Sequence, residues 1–235
     1  MFRLLAIIPK YSKAIISDAL LEFRKLAECG FVPEDATKGH KDGWGIGAIK
    51  NKLIFCEKNT GNALTDKNFE NFIKTAQVQT ADVIMAHLRK ASVGGVSINN
   101  THPFIYKGFV FCHNGSIFES HKINLKPKFA NLVKGETDSE KFFLYLMQII
   151  EDGGSLEQAI NFVKGHFDYK SINFLLSNGG DLWAQRETRV HFDYYTLYQS
   201  LDSQTGTILI CSEKLPLAGI VWQEILNHQL VQVKI

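Results

Sequence analysis

Short runs rich in β-branched and aromatic residues, most of them bounded by Gly, Asn or Asp, constrain this chain more than any other feature. They fall at 3–8 (RLLAII), 44–49 (WGIGAI), 52–57 (KLIFCE), 81–88 (ADVIMAHL), 108–113 (GFVFCH), 171–177 (SINFLLS), 181–186 (DLWAQR), 194–199 (YYTLYQ), 206–211 (GTILIC) and 229–234 (QLVQVK). Runs of this length and makeup predict strands. Asn51, and the Asn178-Gly179-Gly180 triplet, predict tight hairpin turns between the runs they separate. Helical stretches are fewer. Residues 14–28 put Ile16, Leu20, Phe23 and Ala27 on one stripe, and 66–76 predict a shorter helix. Thr137-Asp138-Ser139-Glu140 has the form of a capping box opening an apolar helix over Lys141–Glu151, and Ser155-Leu156-Glu157-Gln158 opens another. Many strands with a few apolar helices suggest two packed sheets flanked by helices, although the pattern alone supports only an α+β fold. No repeat, low-complexity tract or Pro/Ser-rich linker interrupts the chain, so 1–235 is expected to form a single domain.

Composition narrows the function classes. At 235 residues, 45% hydrophobic and 21% charged, the chain can bury a substantial core. A net charge of +2, with no block of like charges, gives no sign of nucleic acid or a membrane surface as partner. No apolar stretch approaches the roughly 20 residues of a membrane span. The run Leu4–Ile8 is too short for a signal-peptide core and ends at Pro9, so a cytoplasmic protein is expected. The four cysteines (Cys29, Cys56, Cys112 and Cys211) are scattered without a CxxC pair, and are expected to be reduced thiols. The eight histidines form no cluster at metal-ligand spacing, so neither a metal nor another cofactor is expected.

Several polar residues have both a bland and a chemical reading. Arg89, closing the run 81–88, carries a fork that can grip both oxygens of a carboxylate. Asp138 can accept an ammonium, or simply favour the helix N-terminus electrostatically. Asn114-Gly115 offers a side-chain amide and an accessible backbone N–H suited to an oxyanion; alone, it is the strongest short turn signal a sequence can carry.

The segments HKDGWGI (40–46), AHLRKAS (86–92), NTHPF (100–104), FCHNG (111–115) and TDSE (137–140) occur in that order. Together they resemble the class II glutamine amidotransferase family, the glutaminases of the N-terminal-nucleophile hydrolase fold, and in particular its small stand-alone branch. That branch includes bacterial amidotransferase-like proteins and the γ-glutamyl hydrolase of the ergothioneine pathway. Trp183–Arg186, Tyr194–Tyr198, Ser212-Glu213 and Trp222 extend the likeness along nearly the whole chain. The resemblance implies a four-layer αββα sandwich of two antiparallel sheets. It also implies a pocket for glutamine or a γ-glutamyl compound. In that pocket Arg89 clamps the carboxylate, Asp138 takes the α-ammonium, and Asn114 and Gly115 form the oxyanion hole. Ser92 and His102 are expected among the substrate-binding residues; His40, Asp42, Gly43, Trp44, His87 and His113 are expected to shape the pocket.

The family opens Met-Cys, and after Met removal the cysteine supplies both the nucleophilic thiol and the basic α-amine. This chain opens Met1-Phe2. Phenylalanine has no nucleophilic atom, and its bulk should block removal of Met1. Cys112 would share a face with Asn114 if both lie on a strand, but an unpaired Cys in an apolar run is usually a buried small hydrophobe. Three readings follow: a ligand-binding homologue with impaired catalysis, an active γ-glutamyl amide hydrolase with a non-standard nucleophile, or a scaffold whose pocket is vestigial. With no attached synthetase domain in view, any ammonia made would need a separate synthetase or acceptor protein.

Overall fold

A computed structural model describes residues 2–10, 14–33, 37–202 and 205–235. The strands are β1 (Phe2–Ile8), β2 (Trp44–Lys50), β3 (Leu53–Asn59), β4 (Val83–Arg89), β5 (Phe104–Tyr106), β6 (Phe109–Ile117), β7 (Tyr169–Ser177), β8 (Asp181–Arg186), β9 (Tyr198–Leu201), β10 (Ile208–Cys211), β11 (Gln223–Glu224) and β12 (Gln229–Lys234). The α-helices are α1 (Ala14–Cys29), α2 (Lys67–Ile73), α3 (Ala76–Gln79), α4 (Pro127–Ala130), α5 (Asp138–Glu151) and α6 (Leu156–His166). Seven strands form one sheet, in the order β11-β9-β10-β1-β4-β2-β3, and five form the other, in the order β12-β8-β7-β6-β5. Every pairing is antiparallel.

Strand alternation sorts the apolar residues into three interlayer cores. Leu5 and Ile7 of β1 pack with Ile46 of β2, Ala86 of β4 and Ile16, Leu20 and Phe23 of α1, covering the outer face of the large sheet. Leu4, Ala6 and Ile8 point the other way, joining Met85, Val110, Cys112, Leu175 and Ala184 between the sheets. On the far side Phe111, Ile172 and Phe174 meet Phe142, Phe143 and Leu146 of α5 and Ile160 and Val163 of α6. Helix, sheet, sheet, helix is therefore the layer order. Because β1 is buried on both faces, its sequence from Leu4 to Ile8 is continuously apolar instead of alternating.

The hairpin at Asn51 closes as expected: Asn51 and Lys52 both take positive φ (49° and 66°) while Lys50 pairs with Leu53. The Ser155 capping box is complete. The one at Thr137 is half made. Its hydroxyl accepts the Glu140 N–H at 3.2 Å, but the Glu140 carboxylate turns instead to the N–H groups of Lys134 and Gly135. The stretch 66–76 divides at Thr75, whose extended backbone caps the one-turn α3. The run 194–199 is displaced: pairing starts only at Tyr198, while Tyr194 and Tyr195 lie in a turn with both N–H groups on the His191 carbonyl. Their apolar character serves the core, not a ladder. No helix of the described residues is long and apolar enough to cross a membrane, and no group of His, Cys, Asp and Glu among them could hold a metal ion.

Candidate functional site

Pairing between β1 and β4 sets Phe2 opposite Arg89 and Leu4 opposite His87. The alternation that sends Leu4 into the gap between the sheets sends Phe2, His87 and Arg89 there too. From the other sheet, β6 presents Asn114 on the same face as Val110 and Cys112. Asn114 and Gly115 do not form a turn. They sit inside the strand, opposite Asn173 and Ile172, and an added Cβ at Gly115 would lie 1.7 Å from the Ser171 carbonyl oxygen.

Phe2 closes this end of the gap. Its N–H donates to Asn114 Oδ1 at 3.1 Å. Its ring lies 5.0 Å from His87 and 5.7 Å from His102, which stack on each other at 4.1 Å. The His102-Pro103 segment reaches the site because β2 carries Gly45 beneath it. A Cβ there would come within 2.0 Å of the His102 carbonyl oxygen. His87 Nε2 donates to the His113 carbonyl at 3.2 Å, and His113 Nδ1 meets Ser139 Oγ at 2.8 Å, tying β6 to the start of α5. Burial drives these imidazoles towards the neutral form: His113 is pushed down to about 3, and His87 and His102 well below the ordinary range.

Arg89 is 1% exposed. Its Nη2 reaches the carbonyls of Val93 and Gly94 at 3.3 and 3.4 Å, while Nε and Nη1 have no hydrogen-bond partner. Burial lowers its pKa, opposed by the charge of Asp42. Asp42 also accepts the Ala91 N–H at 2.8 Å, fixing the turn after β4. Asp138, 4% exposed, accepts the Ile117 N–H at 2.6 Å, and burial raises its pKa. The Nδ2 groups of Asn114 and its neighbour Asn173 are also unpartnered. The site is thus closed, rich in unspent donors and poor in acceptors.

Other expected residues fall elsewhere. Trp44 points to the helix-covered face, donating to Asp66 at 2.8 Å and packing edge-on against Phe69. His40 lies on that same side, between the Leu26 carbonyl and the Tyr194 hydroxyl, pushed down to about 3 by burial. Gly43, at φ 144°, passes close to Thr101. Ser92 is exposed on the loop after β4. Two participants were not among the expected site residues. The Tyr194 hydroxyl approaches the Phe2 carbonyl at 3.4 Å, and Asn173 aligns with Asn114 while its Oδ1 holds the Glu187 N–H at 2.7 Å. In the sequence Asn173 has no signal beyond being the one amide in the run 171–177. Cys112 lies fully buried between the sheets, its thiol pushed well above the usual range by burial.

Two antiparallel sheets face to face between helices, with the first strand central and its head against an Asn-Gly pair, define the sandwich of the N-terminal-nucleophile hydrolases. A solved structure of this kind, a glutamine aminotransferase class-II domain protein from Silicibacter pomeroyi, superimposes with a TM-score of 0.64. The match covers 99% of this chain and 94% of that one at 17% identity, and shows the fold alone. The model of the class II glutamine amidotransferases matches residues 1–197, and the chain belongs to that family. A provisionally named glutamine amidotransferase of Haemophilus influenzae is 32% identical over 168 residues, 66% of this chain and 55% of that protein. Another, YafJ of Escherichia coli, is 26% identical over 197 residues, 77% of this chain and 72% of its own length. The matched span therefore covers little more than half of the Haemophilus relative.

Proposed function

We propose that this protein, acting as one domain over 1–235, is a glutaminase homologue that binds glutamine or a γ-glutamyl compound without hydrolysing it. The observation that carries this reading is Phe2 itself, which stands where the resemblance implies a nucleophilic cysteine. No nucleophilic atom is present there, and the ring fills the space beside His87 and His102. The binding half of the reading rests on the unspent donors. Arg89 holds only two long carbonyl contacts from the loop after β4, which a ligand carboxylate would readily replace. The Asn114 and Asn173 amides stand ready for a carbonyl oxygen. Cys112 does not rescue catalysis, since a buried thiol held protonated is a poor nucleophile. A second reading, a scaffold with a vestigial pocket, draws on the burial of Phe2, Arg89, Asn114 and Asp138 together. If a related reaction did release ammonia, a separate synthetase or acceptor protein would receive it.

Calorimetric titration with L-glutamine and a γ-glutamyl amide, beside a glutamate-release assay, tests the proposal. The expected result is saturable binding, lost in Arg89→Ala, with no glutamate released until Phe2→Cys is introduced and its Met1 removed. Glutamate release by the unmodified chain overturns it. Absence of binding to every ligand favours the scaffold.

A further inference from the structure

A second cavity lies away from Phe2, at the free edge of the five-stranded sheet. It encloses about 360 Å³ beside β5, Leu132 and the inner side of α5. The apolar part of its lining is formed by Ile98, Ile105, Tyr106, Leu132, Phe143 and Leu144. Ile98 and Ile105 are 45% and 44% exposed, so the rim presents apolar side chains to solvent.

The polar end contains Lys58, Glu140 and Lys134. Lys58 crosses from β3 of the other sheet, and its ammonium donates to the Thr101 carbonyl at 2.8 Å and, at 3.5 Å, to that of Pro103. Both partners are uncharged. Glu140 is already engaged, its two oxygens accepting the N–H groups of Lys134 at 3.0 Å and Gly135 at 2.7 Å.

We propose that this cavity binds a small amphipathic monoanion, an apolar or aromatic carboxylate, with its carboxylate on Lys58 and its apolar body against Ile105, Leu132, Phe143 and Leu144. An ammonium has three protons to donate, and two carbonyls leave one of them for a ligand. Lys58 and the exposed Lys134 outnumber Glu140 among the lining side chains, so the polar end carries one excess positive charge. Volume, apolar walls and a few convergent polar groups are what small-molecule sites have in common. Burial lowers the Lys58 pKa, opposed by surrounding charges that include Glu140. A neutral apolar molecule would leave that charge unanswered. A phosphate would find no buried donor besides Lys58 among these side chains. None of Phe2, Arg89, Asn114 or Asp138 lines the cavity, so this inference stands apart from the reading of the glutaminase site.

Phenylacetate, with phenylethanol as its uncharged match, is the probe. Each is titrated into the ¹⁵N-labelled full chain while backbone amide shifts are followed. Phenylacetate should saturate and move the amides of Ile105, Leu132 and Leu144, and phenylethanol should bind at least about tenfold more weakly. Lys58→Met should weaken phenylacetate by a similar factor. Should that variant fail to fold, Ile105→Trp, placed at the exposed rim, blocks the mouth and should abolish binding alone. Equal binding of the two probes, shifts that cluster elsewhere, or no saturation overturns the proposal.

Discussion

Mild acid should unfold this protein through its histidines before its carboxylates are involved. His40, His87, His102 and His113 are all buried, and burial keeps them neutral, with His40 and His113 pushed down to about 3 and the other two well below the ordinary range. In the unfolded chain each would take up a proton near pH 6.5. A folded-state pKa lying below the unfolded one means that the stability contribution is whole above about pH 6.5. It is lost as pH falls, because the unfolded chain binds protons that the folded one refuses. Each histidine then costs about 1.4 kcal/mol between pH 7.5 and pH 5.5, so the four together remove about 5.5 kcal/mol. That is comparable to the whole stability of a modest domain. Depressed carboxylates such as Glu151, held at about 2 by its hydrogen bonds to lysines, act only below this window. Urea unfolding followed by circular dichroism at pH 7.5, 6.5 and 5.5 measures the slope. His40→Gln should reduce the loss by about one quarter. A total decline smaller than about 1.4 kcal/mol, one histidine's share, would refute the neutral-histidine account.

Three further outcomes are expected. Phe2→Ala should cost about 3 kcal/mol, a fall in Tm of roughly 6–12 °C at this chain length. The cost stays at the low end because the void is bordered by unpartnered polar atoms that water can satisfy; thermal melts check it, with intact mass reporting whether Met1 is kept. Gly45→Ala should yield no folded protein by far-UV circular dichroism, since its Cβ would lie 2.0 Å from the His102 carbonyl oxygen. Asp138→Asn should raise Tm at neutral pH while abolishing glutamine binding. Burial lifts the Asp138 pKa, so the ionised form penalises the fold above that pKa. The advantage of the variant should vanish in acid, where Asp138 is protonated in both states, and Tm measured across pH tests this.

The layers were legible because alternation and turn chemistry are local. Strand content, the Asn51 hairpin and the helices starting near Ala14, Asp138 and Leu156 follow from neighbours in sequence. What remained hidden depends on partners far along the chain. β1 is apolar at every position from Leu4 to Ile8, so its sequence cannot say which face Phe2 takes; only pairing with Arg89 and His87 decides it. The Asn114-Gly115 turn signal loses to a long-range ladder with Asn173 and Ile172. Trp44 belongs to a glycine-bearing motif read as pocket-forming, yet strand parity sends its indole to the helix layer while Gly45 faces the site. Tyr194 carries an aromatic run that resembles a strand, and its place beside Phe2 rests on a contact spanning 192 residues.

The central position of β1 has a consequence for how the molecule is made. Its ladders run to Val83–Arg89 on one side and to Ile208–Cys211 on the other. During synthesis the first strand emerges long before either neighbour, and one of its edges stays open until Ile208–Cys211 has been translated. An apolar segment with an unpaired edge is the kind of surface that draws aggregation or a chaperone. Pairings this distant also make for slow folding. Completion of the large sheet is therefore a late event, and chains interrupted before Cys211 would carry β1 half-paired and be poorly soluble.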